Sequence, residues 1–230
     1  MTPVSAVVPN YVSMVEGHRY ETSASRRNWF GGKKCFAQAL AHPSITQVIA
    51  PTRKTLPERD KLINPVAIHI HERLPEMRNW KPDAVINATG TTIKKVGSRE
   101  AFRLVDHDLP LLFAQAAYKE GAQNYGLVSA IGASLTSSIA YARIKAELER
   151  DVQKIGFKSL SILRPSMIGG EREEVRLGES IFLWLSRVLA PVIPKGFHVN
   201  PATVIARVLV DAAVTGEPGV HFRFSDSLTE

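Results

Sequence analysis

A single cysteine, Cys35, is all the thiol that the 230-residue chain contains. One thiol builds neither an intrachain disulfide framework nor a cysteine-based zinc site, and a reducing, cytoplasmic setting is the expectation. No uninterrupted apolar run is long enough to cross a bilayer. The longest stretch, Ile181 to Ile193, is broken by Ser186, Arg187 and Pro191. The N-terminus has no basic stretch followed by an apolar one, so no secretory signal is expected. The net charge of +7 is not gathered into a long basic run. No nucleic-acid-binding signature accompanies it. Neither nucleic acid nor membrane is therefore an expected partner.

What is present is ordinary globular composition, 44% hydrophobic and 22% charged. It is enough for one domain with a sizeable core. From Phe36 onward, short β-rich runs alternate with helical stretches. Ile45–Ala50, Pro65–Ile70, Asp83–Ala88, Asn124–Ala130, Ser159–Leu163 and Val220–Phe224 read as strands. Their near-continuous apolar character suits a parallel sheet covered on both faces. Helices are expected over Phe36–Ala41, Asp108–Glu120, Ser137–Ile155, Glu179–Leu189 and Pro201–Val214, with Gly121, Gly156 and Gly216 as stops. This order predicts an α/β fold, a three-layer α/β/α Rossmann-like, doubly wound, mostly parallel sheet.

The sharpest local pattern is Tyr141-Ala-Arg-Ile-Lys145. Four residues apart on a helix, the phenol and the ammonium share a face. An adjacent ammonium favours the phenolate and makes tyrosine a usable acid or base near neutral pH. Ser129 closes a predicted strand twelve residues earlier, where its hydroxyl can hold a carbonyl oxygen, and Gly132 follows in the same loop. His69 and His71 alternate on a predicted strand. They lack a third ligand, so no metal is expected. Cys35 reads as a packed residue.

Strand, Ser129, Gly132, then a helix bearing Tyr141 and Lys145 is the arrangement of short-chain dehydrogenases/reductases. The stretches 87–108, 128–149 and 164–179 resemble the small atypical branch of that family. That branch includes bacterial NAD(P)-binding oxidoreductases and the human Tat-interacting, tumour-suppressor-like reductase. The resemblance runs from about Phe36 to Ser227. It implies a catalytic trio of Ser129, Tyr141 and Lys145, with Lys145 also holding the nicotinamide ribose. It implies that Gly90, Thr91 and Thr92 lie over the cofactor and that Arg164, Pro165 and Ser166 pass beside the nicotinamide. Residues 171–176 would stand near the substrate mouth. At the end of the first visible strand an NAD site usually has an acidic residue for the ribose 2′-hydroxyl. Here the chain reads Pro51-Thr52-Arg53-Lys54. Arg53 can pair with a 2′-phosphate, so Thr52 and Arg53 favour NADP(H) over NAD(H).

Residues 1–35 depart from the family. The Gly-Ala-Thr-Gly-x-x-Gly phosphate turn falls, by its distance from the first helix, on Arg26-Arg-Asn-Trp-Phe-Gly-Gly32, and only Gly32 agrees. Residues 1–25 show no convincing apolar strand leading into it. Arg26–Phe30 can be encoded by the codons CGG CGC AAC TGG TTT, which one base later read Gly-Ala-Thr-Gly. The expectation is an atypical segment, 1–35, translated out of frame, ahead of an NAD(P)-binding domain, 36–230, with a small C-terminal substrate part. The first strand and Gly-rich loop are then lost or replaced. The expected function is NADPH-dependent interconversion of a small carbonyl and its alcohol. A non-catalytic, NADPH-sensing module with a protein partner or a second copy, and a cofactor-defective product of a disrupted frame, are the alternatives.

Overall fold

The computed structural model describes residues 3–9, 30–169 and 199–229. The expected helix at Glu179–Leu189, the mouth at 171–176 and residues 26–29 of the phosphate turn lie outside them. Seven strands form one parallel sheet in the order β3-β2-β1-β4-β5-β6-β9. They are β1 (Val4–Val7), β2 (Ile45–Ile49), β3 (Leu62–Ile63), β4 (Ala84–Asn87), β5 (Asn124–Val128), β6 (Ser159–Arg164) and β9 (Gly219–Phe224). A separate parallel pair joins β7 (Met167–Gly169) to β8 (Val199–Pro201). The strand order reverses between β1 and β4, the switch point of a doubly wound sheet. The three-layer fold expected from the sequence is the fold observed.

One part of the expectation is overturned. The first strand is present: Val4–Val7 occupies the centre of the sheet, parallel to β2 on one side and to β4 on the other. The expectation was that residues 1–25 hold no strand leading into the phosphate turn. The strand lies far upstream of that turn, with residues 8–29 between it and the first helix. Its four residues, VSAV, carry too little pattern to stand out, yet every neighbour confirms the slot. Ser5 N donates to Asp83 Oδ2 at 2.7 Å, and Asp83 N returns a bond to Ser5 O at 2.8 Å. Val4, Ala6, Val7 and Val8 are buried.

A second correction concerns Pro65–Ile70. The edge strand is β3, Leu62–Ile63, paired with Val48 and Ile49. Beyond it, Val66 makes a lone bridge to Thr52, and Ile70–Glu76 winds into a 3-10 turn. Pro65 has no N–H to give a ladder. Asn64 diverts the local bonding by donating to Ala50 O and Thr52 Oγ1, both at 2.7 Å.

Helices cover both faces, as strand periodicity demands. Val7, Ile49, Val85, Leu127 and Ile162 point to one side and pack on α5 (Leu109–Lys119) and α6 (Ala140–Gln153). Ala6, Val48, Ala84, Ile86, Val128 and Leu163 point to the other and meet α1 (Phe30–Ala41) and α7 (Ala202–Thr215). Gly126 in β5 allows the closest of these approaches. A Cβ there would stand 3.0 Å from Leu209 Cδ1 of α7. Short helices α2 (Met77–Trp80), α3 (Ile93–Val96) and α4 (Arg99–Arg103) complete the frame. Between α4 and α5, Leu104–Asp108 forms a π-turn, in which Leu109 N bonds Leu104 O. Such turns occur mostly where a helix must aim a functional side chain.

Candidate active site

The carboxyl ends of β4, β5 and β6 converge with the first turns of α6. Lys145, on the sheet-facing side of α6, is 3% exposed and its Nζ lies 2.8 Å from Asp106 Oδ1. Asp106 is delivered by the π-turn and is 1% exposed. Its second oxygen accepts the Thr91 N–H at 3.0 Å, which fixes the loop after β4. Gly90 completes the cluster: a Cβ there would lie 3.6 Å from both Asp106 Oδ1 and Lys145 Nζ. Burial pushes the Asp106 carboxyl up, against the pull of Lys145 and the Thr91 N–H. Burial draws Lys145 down, but the nearby Asp106 carboxylate, the Tyr141 phenol and Glu149 outweigh it, so the ammonium is held above its ordinary value.

Tyr141 stands one turn earlier on the same helix. It is half-buried, and its ring packs against Phe102 with centroids 5.5 Å apart. Ser129 follows β5, and its amide donates to Leu163 O at 2.7 Å. Its Oγ is buried with no hydrogen-bond partner, as is Thr91 Oγ1. Buried hydroxyls in native proteins are nearly always satisfied. Thr91 is tied to Lys145 through Asp106, so its orphan hydroxyl lies at the buried ion pair.

The other expected residues divide by what their atoms already do. Arg53, after β2, has a buried Nε with no partner. Thr52 is committed to local structure: its amide donates to Pro65 O and its hydroxyl to Lys54 O at 2.7 Å. Thr92 is an exposed residue preceding α3, and Gly32 is buried within α1. Arg164 is fully engaged. It forks onto Glu149 at 3.0 and 2.5 Å and lies over the Phe222 ring at 4.9 Å. Pro165 accepts the Ile131 N–H, and Ser166 N donates to the buried Asn200 side chain at 2.9 Å. Arg164, Pro165 and Ser166 therefore build the wall after β6, while Gly90, Thr91, Asp106 and Lys145 gather in one buried cluster, with Tyr141 one turn away on α6 and Ser129 at the end of β5. Cys35 is buried, its thiol pushed up to about 12 by that burial, which suits packing rather than reactivity. His69 and His71 are exposed, with rings 5.7 Å apart, at the start of the 3-10 turn rather than on a strand.

Asp106 was not foreseen, because the helix was begun at Asp108. A signal existed. Phe102, Val105, Leu109 and Phe113 form a buried stripe at helical spacing, and Asp106 is a lone charge on that stripe. A carboxylate on an apolar face needs a buried partner.

No protein-family profile matches the chain. It is 33% identical over 199 residues to the protein fmp52, mitochondrial, of Emericella nidulans, spanning 81% of this chain and 85% of that one. It is 37% identical over 197 residues to the same-named protein of Aspergillus clavatus, spanning 82% and 84%. The chain belongs to the fmp52 family. The expected cytoplasmic setting is overturned by this finding, because these fmp52 relatives are named as mitochondrial proteins. A lone buried cysteine is compatible with several reducing compartments and could not choose between them. Among solved structures, the fold resembles Bordetella bronchiseptica WbmH in complex with NAD+, with a TM-score of 0.66, 16% identity and coverage of 96% and 75%. It also resembles a 3-oxoacyl-[acyl-carrier protein] reductase from Brucella melitensis, with a TM-score of 0.63, 13% identity and coverage of 99% and 98%. The fmp52-family chain thus has a Rossmann-like fold.

Proposed function

We propose that this chain is a mitochondrial, NADP(H)-dependent oxidoreductase that interconverts a small carbonyl compound and its alcohol. The observation that carries the reading is a buried Lys145 one helical turn from Tyr141, together with an unpartnered Ser129 hydroxyl at the carboxyl end of β5. The residues around the switch point suit a dinucleotide. The cradle at Gly90 and the orphan Thr91 hydroxyl offer room and a hydrogen bond, and Lys145 has N–H donors beyond its Asp106 contact for the ribose hydroxyls. The unpartnered Arg53 Nε supports a 2′-phosphate, hence NADP(H) over NAD(H).

A bound reduced nicotinamide supplies a hydride, two electrons and a proton, to the carbonyl carbon. The chain's residues do the rest. Ser129 holds the carbonyl oxygen. Tyr141 gives that oxygen its phenolic proton, so the product is a neutral alcohol. Lys145 stabilises the phenolate left behind, and the half-buried phenol recovers a proton from solvent.

Titration of the purified chain with NADPH and NADH, followed by nucleotide fluorescence, tests the reading. Micromolar binding of NADPH, at least tenfold tighter than NADH and equalised by Arg53→Ala, is expected. Tyr141→Phe should retain that binding and lose about 10²–10⁴-fold in turnover. Binding without turnover of any carbonyl would leave a nucleotide-sensing module. No binding by folded protein would mean that residues 26–32 do not form a phosphate turn, and sequencing the coding DNA there then tests the out-of-frame reading.

A further inference from the structure

The loop that joins Ser129 to Tyr141 has an unusual composition for an exposed segment: residues 129–140, SAIGASLTSSIA, carry no ionisable side chain. Its hydroxyls are turned on one another. Ser134 Oγ and Thr136 Oγ1 are 3.0 Å apart, and Ser137 Oγ accepts the Ile139 N–H at 3.1 Å. The loop is also held in place. Ser134 N donates to Ala142 O, Ile131 N donates to Pro165 O, and Arg143 braces Ser137 O. What faces outward is apolar: Ile139 is 64% exposed, Leu135 46% and Ile131 38%, with Met167 at 42% just beyond Pro165. Single exposed apolar residues need no explanation, but a set flanking a reactive tyrosine on a braced loop does.

The basic side chains around Tyr141 point to the same conclusion from the opposite side. Lys145 faces Asp106, Arg143 lies 4.0 Å from Glu147, and Arg164 forks onto Glu149. Lys145 and Arg164 each have a carboxylate of their own, and Arg143 shares Glu147 with Arg103. An anionic substrate entering here would find its counter-charges taken and would lose hydration without return.

Resting on the oxidoreductase reading, we infer that the substrate is an uncharged carbonyl compound with an alkyl chain. Its oxygen meets Ser129 and Tyr141, and its chain lies along Ile131, Leu135 and Ile139. The loop that joins Ser129 to Tyr141 turns apolar side chains outward and carries no charge of its own. That arrangement selects by chain length and discriminates against phosphate or carboxylate.

The test is calorimetric titration with butan-1-ol, hexan-1-ol and octan-1-ol, and with octyl phosphate, in the presence and absence of NADPH. Affinity should rise about threefold per methylene on an open apolar lip. Octyl phosphate should bind at least tenfold more weakly than octan-1-ol. Leu135→Ser/Ile139→Ser, both exposed positions, should flatten the chain-length slope. A flat slope in the unaltered chain, or octyl phosphate as the tighter ligand, overturns the inference. So does a flat slope together with sedimentation on uncharged phosphatidylcholine vesicles that the double variant loses, since the lip would then be a membrane contact. The oxidoreductase reading fails separately: by loss of NADPH binding, or by a steep alkanol slope with no oxidation of NADPH by octanal.

Discussion

Asp106 and His107 are neighbours in one π-turn, yet the charged clusters they enter are built in opposite ways. Asp106 joins Lys145 in a closed pair, with side chains 0% and 4% exposed and the Thr91 amide as the one further donor. His107 opens a network. Its Nδ1 meets Asp108 at 2.7 Å and its Nε2 meets Asp151 at 3.2 Å, and Asp151 is shared with Arg150 and Lys154 at the surface. Arg103 extends the same network to Glu147. A buried pair loses the hydration of both ions, so a well-packed apolar pair is often as stable. A surface network costs little and gives little per contact. A protein that needed only to hold these helices together had the cheaper solution one residue away. The buried pair is therefore the one to associate with chemistry.

Substitutions can break or sharpen this contrast. The largest effect is expected from Lys145→Met, which leaves Asp106 buried without its counter-ion. A loss of about 3–5 kcal/mol in urea unfolding should accompany loss of nucleotide binding. Adding Asp106→Leu should restore stability to within about 1–2 kcal/mol of the unaltered chain while nucleotide binding stays lost. If stability fails to return, the pair is a structural element and the contrast collapses. His107→Ala removes a buried ring with two partners and should cost about 1–3 kcal/mol without touching nucleotide affinity. Gly90→Ala places a methyl at ordinary contact distance from Asp106 and Lys145. Stability should hold, while NADPH affinity drops by roughly tenfold, about 1.4 kcal/mol.

The smallest effect belongs to Asp151→Asn, at about 1 kcal/mol or less near neutral pH. Its carboxyl is held below the ordinary 3.8, first by Arg150, with burial opposing and Lys154 and His107 adding to the pull. The sign follows directly. A carboxyl lowered by folding stabilises above its unfolded value and loses that contribution as pH falls through its folded value. The stability gap between Asp151→Asn and the unaltered chain should accordingly narrow below about pH 4. A gap that widens on acidification would show that the network does not lower Asp151.

How much of this was legible in the sequence depended on how many residues carried each signal. Helix α6 and strands β4 to β6 announce themselves through long apolar periodicity, and Tyr141 and Lys145 share a face by spacing alone. Strand β1 has four residues, and its place is fixed by pairing with residues 45–49 and 84–85, which local pattern does not encode. Asp106 was hidden for a related reason. A π-turn shifts the phase of a helix by one residue, so regular periodicity started at Asp108 passes over it. Arg164 illustrates a third case. Its position after β6 was readable, but its capture by Glu149 and Phe222 is tertiary.

Strand β1 is also a matter of timing. It is synthesised before the other strands of its sheet, and the partner on its far side, β4, ends at Asn87. At a usual elongation rate of about 5–20 residues per second, roughly 4–16 s pass before that partner exists. Until then Val4–Val7 has at most one of its two neighbours, β2, to pair with. The interior of the finished sheet therefore closes only after the chain has passed Asn87.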